Sequence, residues 1–213
     1  MSSIEGKNKA IFLPRNGKLK KLGIFGGTFD PIHLGHLICA EQISESLGLD
    51  IVIFIPCALP PHKPGYRPAD GKHRLAMIDL AIRGCEKFRV SQIELSRGGI
   101  SYTADTVTEI RSQIGKDVEM WLILGLDAYM DLPTWKDPDL ILGQCKIAVA
   151  TRPGYSLGSV RPISNNIEFV EITAVDISSS EIRKRIAEGK SIRFLVPDAV
   201  EEYIRKVKPY RLG

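Results

Sequence analysis

The sequence is poor in cysteine and has no long hydrophobic run. Its cysteines stand far apart, at Cys39, Cys57, Cys85 and Cys145, without a C-x-x-C pair. This spacing excludes a zinc ribbon and a disulfide scaffold, and it is typical of reduced core residues in a cytoplasmic protein. No segment reaches the roughly 18 apolar residues of a membrane span, and the first residues carry charges instead of an apolar signal segment. We therefore expect a soluble, cytoplasmic protein that does not bind a membrane.

Neither basic nor acidic residues are concentrated in one segment of the sequence. The 29 basic and 25 acidic residues leave a net charge of +4, and no run of Lys and Arg forms a stripe. Nucleic acid is therefore not an expected partner. The mild excess suits a pocket for polyanionic small molecules, although a slightly basic solvated surface explains it equally well. With 213 residues, of which 44% are hydrophobic, the chain is long enough for one domain with a real core.

Two common phosphate-binding motifs are also missing. The dinucleotide fingerprint G-x-G-x-x-G does not follow the first expected strand. The P-loop pattern G-x-x-x-x-G-K-[ST] has its nearest approach between Gly65 and His73, where the spacing is wrong and the hydroxyl is absent. A phosphate site in this chain must therefore be built in another way.

Short apolar runs alternate with amphipathic stretches, which predicts a parallel sheet with helices on both faces. The expected fold class is α/β, a Rossmann-like doubly wound parallel sheet with a small C-terminal helical element. The expected strands are Leu22–Phe25, Ile51–Ile55, Phe88–Leu95, Glu119–Leu124, Lys146–Ala150 and Ile167–Glu171. The expected helices are His36–Leu47, Lys72–Gly84, Ala104–Ile114, Asp137–Leu142, Ser178–Ala187 and Pro197–Val207. Residues 1–21 are interpreted as an N-terminal extension, and residues 22–213 as one domain whose terminal helices cover about residues 178–207.

The clearest candidate for chemistry follows the first strand, at Gly26–His36 (G-G-T-F-D-P-I-H-L-G-H). Ligands of open α/β sheets sit beyond the carboxyl ends of the strands, where the strand order reverses. Paired glycines let the backbone approach a phosphate, and the helix that begins near Gly35 directs free N–H groups to the same place. His33 and His36 are spaced so that both rings can face one phosphate chain. Imidazoles there can stabilise charge that builds at phosphorus.

Other roles for the two histidines are less well supported. A metal site would need a third ligand at suitable spacing, and the sequence offers none nearby. A lone histidine is usually structural. Here, however, two of only four histidines stand beside paired glycines at a strand–helix junction, which favours a functional pair.

A second anion site is predicted at Ile177–Arg183. Ser178 or Ser179 is a good N-cap, so the segment offers a helix start with hydroxyls and free N–H groups. Arg183 lies about one turn further and can form paired hydrogen bonds with phosphate. On these residues alone, a plain capped helix with a surface arginine explains the segment equally well.

These motifs resemble those of a known family. Gly26–His36 is similar to the H-x-G-H signature of the nucleotidylyltransferase superfamily and, in detail, to bacterial nicotinate-nucleotide adenylyltransferases. Further similar motifs follow in the same order within residues 22–207, and the ordered set is far more specific than H-x-G-H alone. The others are Pro60–Lys63, Ser101–Thr106, Gly125–Asp127 followed by Leu132 and Trp135, and Ile177–Arg183.

The resemblance implies adenylyl transfer from ATP to nicotinate mononucleotide, giving deamido-NAD and pyrophosphate in NAD biosynthesis. It implies that His33, His36 and Arg183 are catalytic, and that Trp135 and Thr103 contact the nicotinate nucleotide. The implied ATP site consists of Gly26, Gly27, Thr28, Phe29, His36, Asp127, Ile177, Ser178, Ser179, Ser180 and Arg183. Mg²⁺ is expected to arrive with ATP, because no dedicated carboxylate cage is visible.

Several alternatives stay open at this stage. Other H-x-G-H enzymes use nicotinamide mononucleotide or phosphopantetheine as acceptor, and a nucleotide-sensing protein without turnover is the alternative from another class. Lys63 and Arg152, on two long loops, are either contacts for the acceptor phosphate or solvated loop charges. The oligomeric state is also open, a homo-oligomer included.

Overall fold

The computed structural model describes Pro14 and residues 18–61, 65–152, 165–173 and 175–210. Within these residues, six strands form one parallel sheet in the order β3-β2-β1-β4-β5-β6. The strands are β1 (Lys21–Gly27), β2 (Ile51–Pro56), β3 (Phe88–Val90), β4 (Glu119–Gly125), β5 (Lys146–Thr151) and β6 (Ile167–Glu171). The strand order reverses between β1 and β4, which is where such sheets bind ligands. The predicted doubly wound α/β fold is confirmed.

Helices connect the strands and cover both faces of the sheet. They are α1 (Leu34–Leu47), α2 (Gly71–Ala81), α3 (Ile93–Arg97), α4 (Thr103–Ile114), α5 (Leu126–Asp131), a 3₁₀ turn (Leu132–Thr134), α6 (Pro138–Gln144), α7 (Ser179–Ala187) and α8 (Asp198–Val207). Successive residues of a strand point to opposite faces, so Ile24 enters one core and Phe25 the other. Every residue of β2 is buried, as expected for a central strand covered on both sides.

The C-terminal helices belong to the same core as α1 and α2. Ile182 of α7 and Val200 of α8 are fully buried in that core. The Tyr203 hydroxyl lies 2.8 Å from Nδ1 of His73, which joins α8 to α2. These contacts position the start of α7 beside β1, where the site residues lie.

The strand predicted at Phe88–Leu95 was wrong in its second half. The ladder ends where the Ser91 N–H donates to the carbonyl of Phe54, and the Ser91 hydroxyl then accepts the N–H of Ile93. From there the chain turns into α3. In Phe88–Leu95 apolar and polar residues alternate only in part, and so short a pattern does not distinguish a strand from a strand followed by a short helix, so tertiary contacts decide. Sequence patterns also missed α5 and the 3₁₀ turn.

Some predictions fall outside the described residues or concern membranes. Lys63 and residues 1–13 and 15–17 of the N-terminal extension lie outside the described residues. In the part of the chain that the structure describes, no helix has both the length and the apolar character needed to cross a membrane.

Candidate active site

Two cavities open at the carboxyl ends of the central strands β1 and β4. The first, of about 400 Å³, is called here the histidine cavity; its lining includes Phe25, His33, Gly35, His36, Gly125, Asp127, Thr151, Arg152 and Ile177. The second, of about 520 Å³, is called the tryptophan cavity; its lining includes Gly26, Gly27, Thr28, Glu94, Ser101, Thr103, Thr106, Trp135 and Lys136. Successive residues of both strands line different cavities, so the two cavities lie side by side at these strand ends.

The glycines at this junction leave room for a ligand. A Cβ atom built on Gly26 or on Gly125 would meet no atom within 4 Å. The space beside both backbones is therefore open, and a phosphate group can approach them closely. The arrangement fits a molecule that passes from one cavity to the other across the end of the sheet.

His33 and His36 are held as a stacked pair at the start of α1. Their ring centroids are 3.7 Å apart and the planes are inclined by 26°. His33 is the N-cap of α1, and its backbone N–H donates to Nδ1 of His36 at 3.2 Å. Nδ1 of His33 is buried against the first turn of α1, beside Gly35 and the N–H of His36, in a capping-box arrangement. The two side chains thus close the start of the helix together, and both residues line the histidine cavity.

Both imidazoles are neutral near pH 7. Burial lowers the pKa of His33 from 6.5 to about 4. Burial, and then the nearby His33, lower the pKa of His36 well below 6.5. Because Nδ1 of His36 accepts a backbone N–H, the neutral ring carries its proton on Nε2 and can donate from there. The pair thus offers hydrogen-bond donors rather than fixed positive charge.

Gly35 explains why a residue without a side chain stands between the histidines. A Cβ atom at this position would lie 3.1 Å from Nδ1 of His33 and 3.2 Å from its Cε1. Any side chain would therefore push against the His33 ring. Gly35 was not among the predicted site residues, although its place in the H-x-G-H pattern was visible in the sequence.

Phe29 supports the histidines from the core. It was predicted to contact ATP, but only 2% of it is exposed, and its ring meets His36 edge-on at 5.0 Å and Phe25 at 5.6 Å. Its side chain therefore orients His36 instead of facing a ligand. The backbone at Phe29 has a φ of 48°, an uncommon left-handed conformation for a residue with a side chain.

The start of α7 is docked onto the loop that precedes His33. Ser178 is confirmed as the N-cap, with its hydroxyl accepting the N–H of Glu181 at 3.1 Å. The Ser179 hydroxyl donates to the carbonyl of Pro31 at 2.8 Å. Arg183 donates to the carbonyl of Asp30 at 2.6 Å and to the Ser180 hydroxyl at 3.2 Å. The two predicted anion sites are thus joined into one structure by hydrogen bonds.

The other predicted residues divide between the cavities. Asp127, Ile177 and Arg152 line the histidine cavity. Arg152 was predicted to contact the acceptor together with Trp135. It directly follows β5, however, and lines the histidine cavity, whereas Trp135 lines the other cavity. Nη2 of Arg152 lies 3.9 Å from Oδ1 of Asp176.

The predicted acceptor residues Thr103 and Trp135 both line the tryptophan cavity, together with Gly27 and Thr28. Trp135 follows the 3₁₀ turn, and its backbone N–H donates to the carbonyl of Leu132, which is fully buried. Thr103 begins α4, so the free N–H groups of that helix start lie at the same wall. An aromatic face opposite a helix N-terminus suits a flat ring that bears negative charge.

Sequence reasoning missed a polar network in the wall of the tryptophan cavity. Glu94 is 6% exposed and accepts the Thr106 hydroxyl at 2.6 Å. Burial raises its pKa, while hydrogen bonds from Thr106 and Ser101 act in the opposite direction. The Ser101 hydroxyl accepts the N–H of Ala58 at 2.8 Å, which joins the segment after β2 to the start of α4. Sequence reasoning placed Glu94 in the expected strand Phe88–Leu95, so it was not considered as a residue of the site.

Comparisons with known proteins agree with this geometry. A family model described as cytidylyltransferase-like matches residues 24–185. A probable nicotinate-nucleotide adenylyltransferase of Moorella thermoacetica is 43% identical over 199 residues, which cover 90% of this chain and 92% of that protein. One from Thermus thermophilus is 44% identical over 191 residues, covering 90% of this chain and all of that protein.

The fold is also found in solved structures. Nicotinic acid mononucleotide adenylyltransferase of Plasmodium falciparum, complexed with NaAD, superimposes with a TM-score of 0.73 at 19% identity, covering 90% of this chain and 97% of that one. The chain belongs to the cytidylyltransferase-like family and, within it, to the nicotinate-nucleotide adenylyltransferases.

Proposed function

We propose that this protein transfers the adenylyl group of ATP to nicotinate mononucleotide, giving deamido-NAD and pyrophosphate. The observation that carries the proposal is that two different cavities lie side by side at the ends of β1 and β4, beside the open backbones of Gly26 and Gly125. One contains two neutral histidines and the other an aromatic ring beside a helix start. This arrangement suits two nucleotides whose phosphates meet between them. Homologues named for this activity support the same reading.

In the proposed step, a phosphate oxygen of the acceptor attacks the α-phosphorus of ATP. The new P–O bond forms as the bond from the α-phosphorus to the bridging oxygen of the β-phosphate breaks, and pyrophosphate leaves with that electron pair. The acceptor phosphate is already ionised, so no general base is needed. Catalysis then rests on positioning the reactants and stabilising charge.

His33 and His36 are proposed to stabilise the α-phosphate. Both rings lie at the start of α1, whose N–H groups and dipole favour an anion. Neutral donors that already stand in place can stabilise developing charge without reorganisation.

The nucleoside of ATP is proposed to occupy the rest of the histidine cavity. Asp127 is exposed at the start of α5 and can accept hydrogen bonds from sugar hydroxyls. Ile177 leads into the start of α7, where Ser179, Ser180 and Arg183 would face the leaving pyrophosphate. Arg183 is 26% exposed and uses part of its five-donor group on Asp30 and Ser180, so donors are left for phosphate oxygens.

Mg²⁺ is proposed to enter with ATP instead of occupying a site made by the protein. In the described residues, no three His, Cys, Asp or Glu side chains are grouped as a metal site requires. The phosphate chain of ATP can itself hold the ion, as is usual for Mg²⁺. When bound, the ion would neutralise charge on the departing pyrophosphate.

The test is an assay of pyrophosphate release from ATP with nicotinate mononucleotide, nicotinamide mononucleotide or phosphopantetheine. We expect the highest kcat/KM with nicotinate mononucleotide, with deamido-NAD as the product. An ATP analogue with a methylene group between the α- and β-phosphorus is the matched control, because it should bind without release. ATP binding without release with any acceptor would instead support a sensing protein.

A further inference from the structure

Lys136 lies in the wall of the tryptophan cavity, directly after Trp135. Among the described residues that line this cavity, it is the only cation. We infer that Lys136 determines specificity for the acceptor, by favouring a ring that carries a carboxylate over a ring that carries a neutral amide. The inference rests on the proposed function, and it concerns the choice between two acceptors of almost equal shape.

The ammonium group of Lys136 is held over the start of α4. Its Nζ lies 2.9 Å from Oδ1 of Asp105 and 4.8 Å from the centroid of the Tyr102 ring. Tyr102 precedes α4, Asp105 lies in its first turn, and Thr103 begins the helix. The ammonium is therefore at the same wall as the free N–H groups of the helix. The hydrogen bond to Asp105 raises the pKa of Lys136, so the group stays charged.

Lys136 can leave its ion pair with Asp105 and form one with a ligand instead. The Lys136 and Asp105 side chains are 43% and 40% exposed, and ion pairs with this exposure contribute little to stability. Lysine has a flexible four-carbon stem and a point charge, so its ammonium can follow a carboxylate on a ring that stacks on Trp135. When Lys136 leaves, the Asp105 carboxylate is still stabilised by the positive end of the helix dipole, because it lies in the first turn of α4.

Charge is what separates the two acceptors at this wall. A nicotinate carboxylate accepts hydrogen bonds from both Lys136 and the helix N–H groups, and it gains from the positive end of the helix dipole. A nicotinamide group has no net charge and presents its own N–H donors. Glu94, the acid in the same cavity wall, is turned into its hydrogen bond with Thr106. Lys136 is therefore the side chain that the difference in charge would engage.

The experiment compares kcat/KM for nicotinate mononucleotide and nicotinamide mononucleotide, using an inhibition constant where turnover with the amide is too slow. Lys136→Met keeps the length of the side chain and removes its charge. We expect the preference for nicotinate to fall about tenfold, as for loss of one charge-assisted hydrogen bond. The KM for ATP should stay within about twofold of wild type. Lys136→Arg, which keeps the charge, should retain most of the preference.

Lys146→Met is the matched control. Lys146 Nζ also pairs with a carboxylate, 2.6 Å from Oε2 of Glu119, and it also lies over an aromatic ring, 5.1 Å from the centroid of Trp121. It is 41% exposed, close to the exposure of Lys136, but it stands at the amino end of β5, away from both cavities. The preference for nicotinate should be unchanged in this variant.

Asp105→Asn should act in the opposite direction. It releases Lys136 for the ligand, so kcat/KM for nicotinate mononucleotide should rise about two- to threefold, and the gain should vanish when Lys136→Met is also present. An unchanged preference in Lys136→Met, or an equal fall for both acceptors, would overturn the inference while leaving the proposed function intact. A wild-type protein that does not use nicotinate mononucleotide at all would overturn both.

Discussion

The imidazole of His36 lies against that of His33, with ring centroids 3.7 Å apart, and accepts the backbone N–H of His33 through Nδ1. His36 therefore has two roles. Its Nδ1 caps the start of α1, and its Nε2 is available as a donor in the histidine cavity. The arrangement explains how a neutral ring can be oriented without a carboxylate partner. It also means that a substitution at His36 has both a catalytic and a structural consequence.

His36→Ala should lower kcat by about 10²-fold, by analogy with the loss of one oxyanion-type donor. It should also cost about 1–2 kcal/mol of unfolding free energy, because the His33 N–H loses its acceptor. Pyrophosphate release and chemical denaturation measure the two effects separately. Turnover close to wild type would remove His36 from the proposed mechanism.

The low pKa of His33 predicts how stability depends on pH. In the folded protein its pKa is about 4, against 6.5 for the free side chain. Above pH 6.5 neither state binds this proton and the stability is full. Between pH 6.5 and about 4, the unfolded state binds the proton and the folded state does not, so the unfolding free energy falls. The loss is on the order of up to 3 kcal/mol.

A His33→Gln variant isolates this effect from the titration of carboxylates. Its unfolding free energy should fall less steeply than that of the wild type between pH 6.5 and 4. Denaturant titrations of both proteins at several pH values give the two slopes. Equal slopes would show that the ionisation of His33 is not coupled to folding.

Gly35→Ala and Gly26→Ala should both lower activity, the first by disturbing the folded site and the second by blocking the ligand. A Cβ at Gly35 would meet the His33 ring at 3.1 Å, so this variant should lose turnover and about 1–3 kcal/mol of stability even without ligand. A Cβ at Gly26 meets nothing within 4 Å, so that variant should fold normally and lose ligand binding. Thermal unfolding with and without ATP separates the cases. Normal ATP and acceptor binding by Gly26→Ala would contradict a ligand passing over this glycine.

Trp135→Ala should raise the KM for nicotinate mononucleotide by about tenfold, because a ring stacked on Trp135 would lose an aromatic contact. Trp135→Phe should recover part of that loss. The KM for ATP should change little in either variant, since Trp135 lines the tryptophan cavity and not the histidine cavity. A KM for ATP that rises as much as that for the acceptor would place Trp135 in a general structural role.

Predictions from the sequence were most successful where burial is uniform. β2 reads as a continuous apolar run and is buried at every residue, so its existence and position were visible in advance. The segment after Phe88 was misjudged because Glu94 is an acid that is buried in the folded protein, where it accepts the hydroxyl of Thr106, twelve residues further on. A pattern of apolar residues contains no information about such a partner.

The sequence by itself determined the parallel α/β fold, the glycine- and histidine-containing start of α1 that we propose to bind phosphate, and the capped start of α7. These depend on local chemistry: apolar runs, paired glycines, an N-cap serine and the spacing of His33 and His36. Only the tertiary structure decided that two cavities lie side by side at the ends of β1 and β4, that Arg152 and Trp135 line different ones, and that Lys136 stands over the start of α4. Cavity walls are assembled from segments far apart in the chain, and their meeting depends on how helices pack on the sheet.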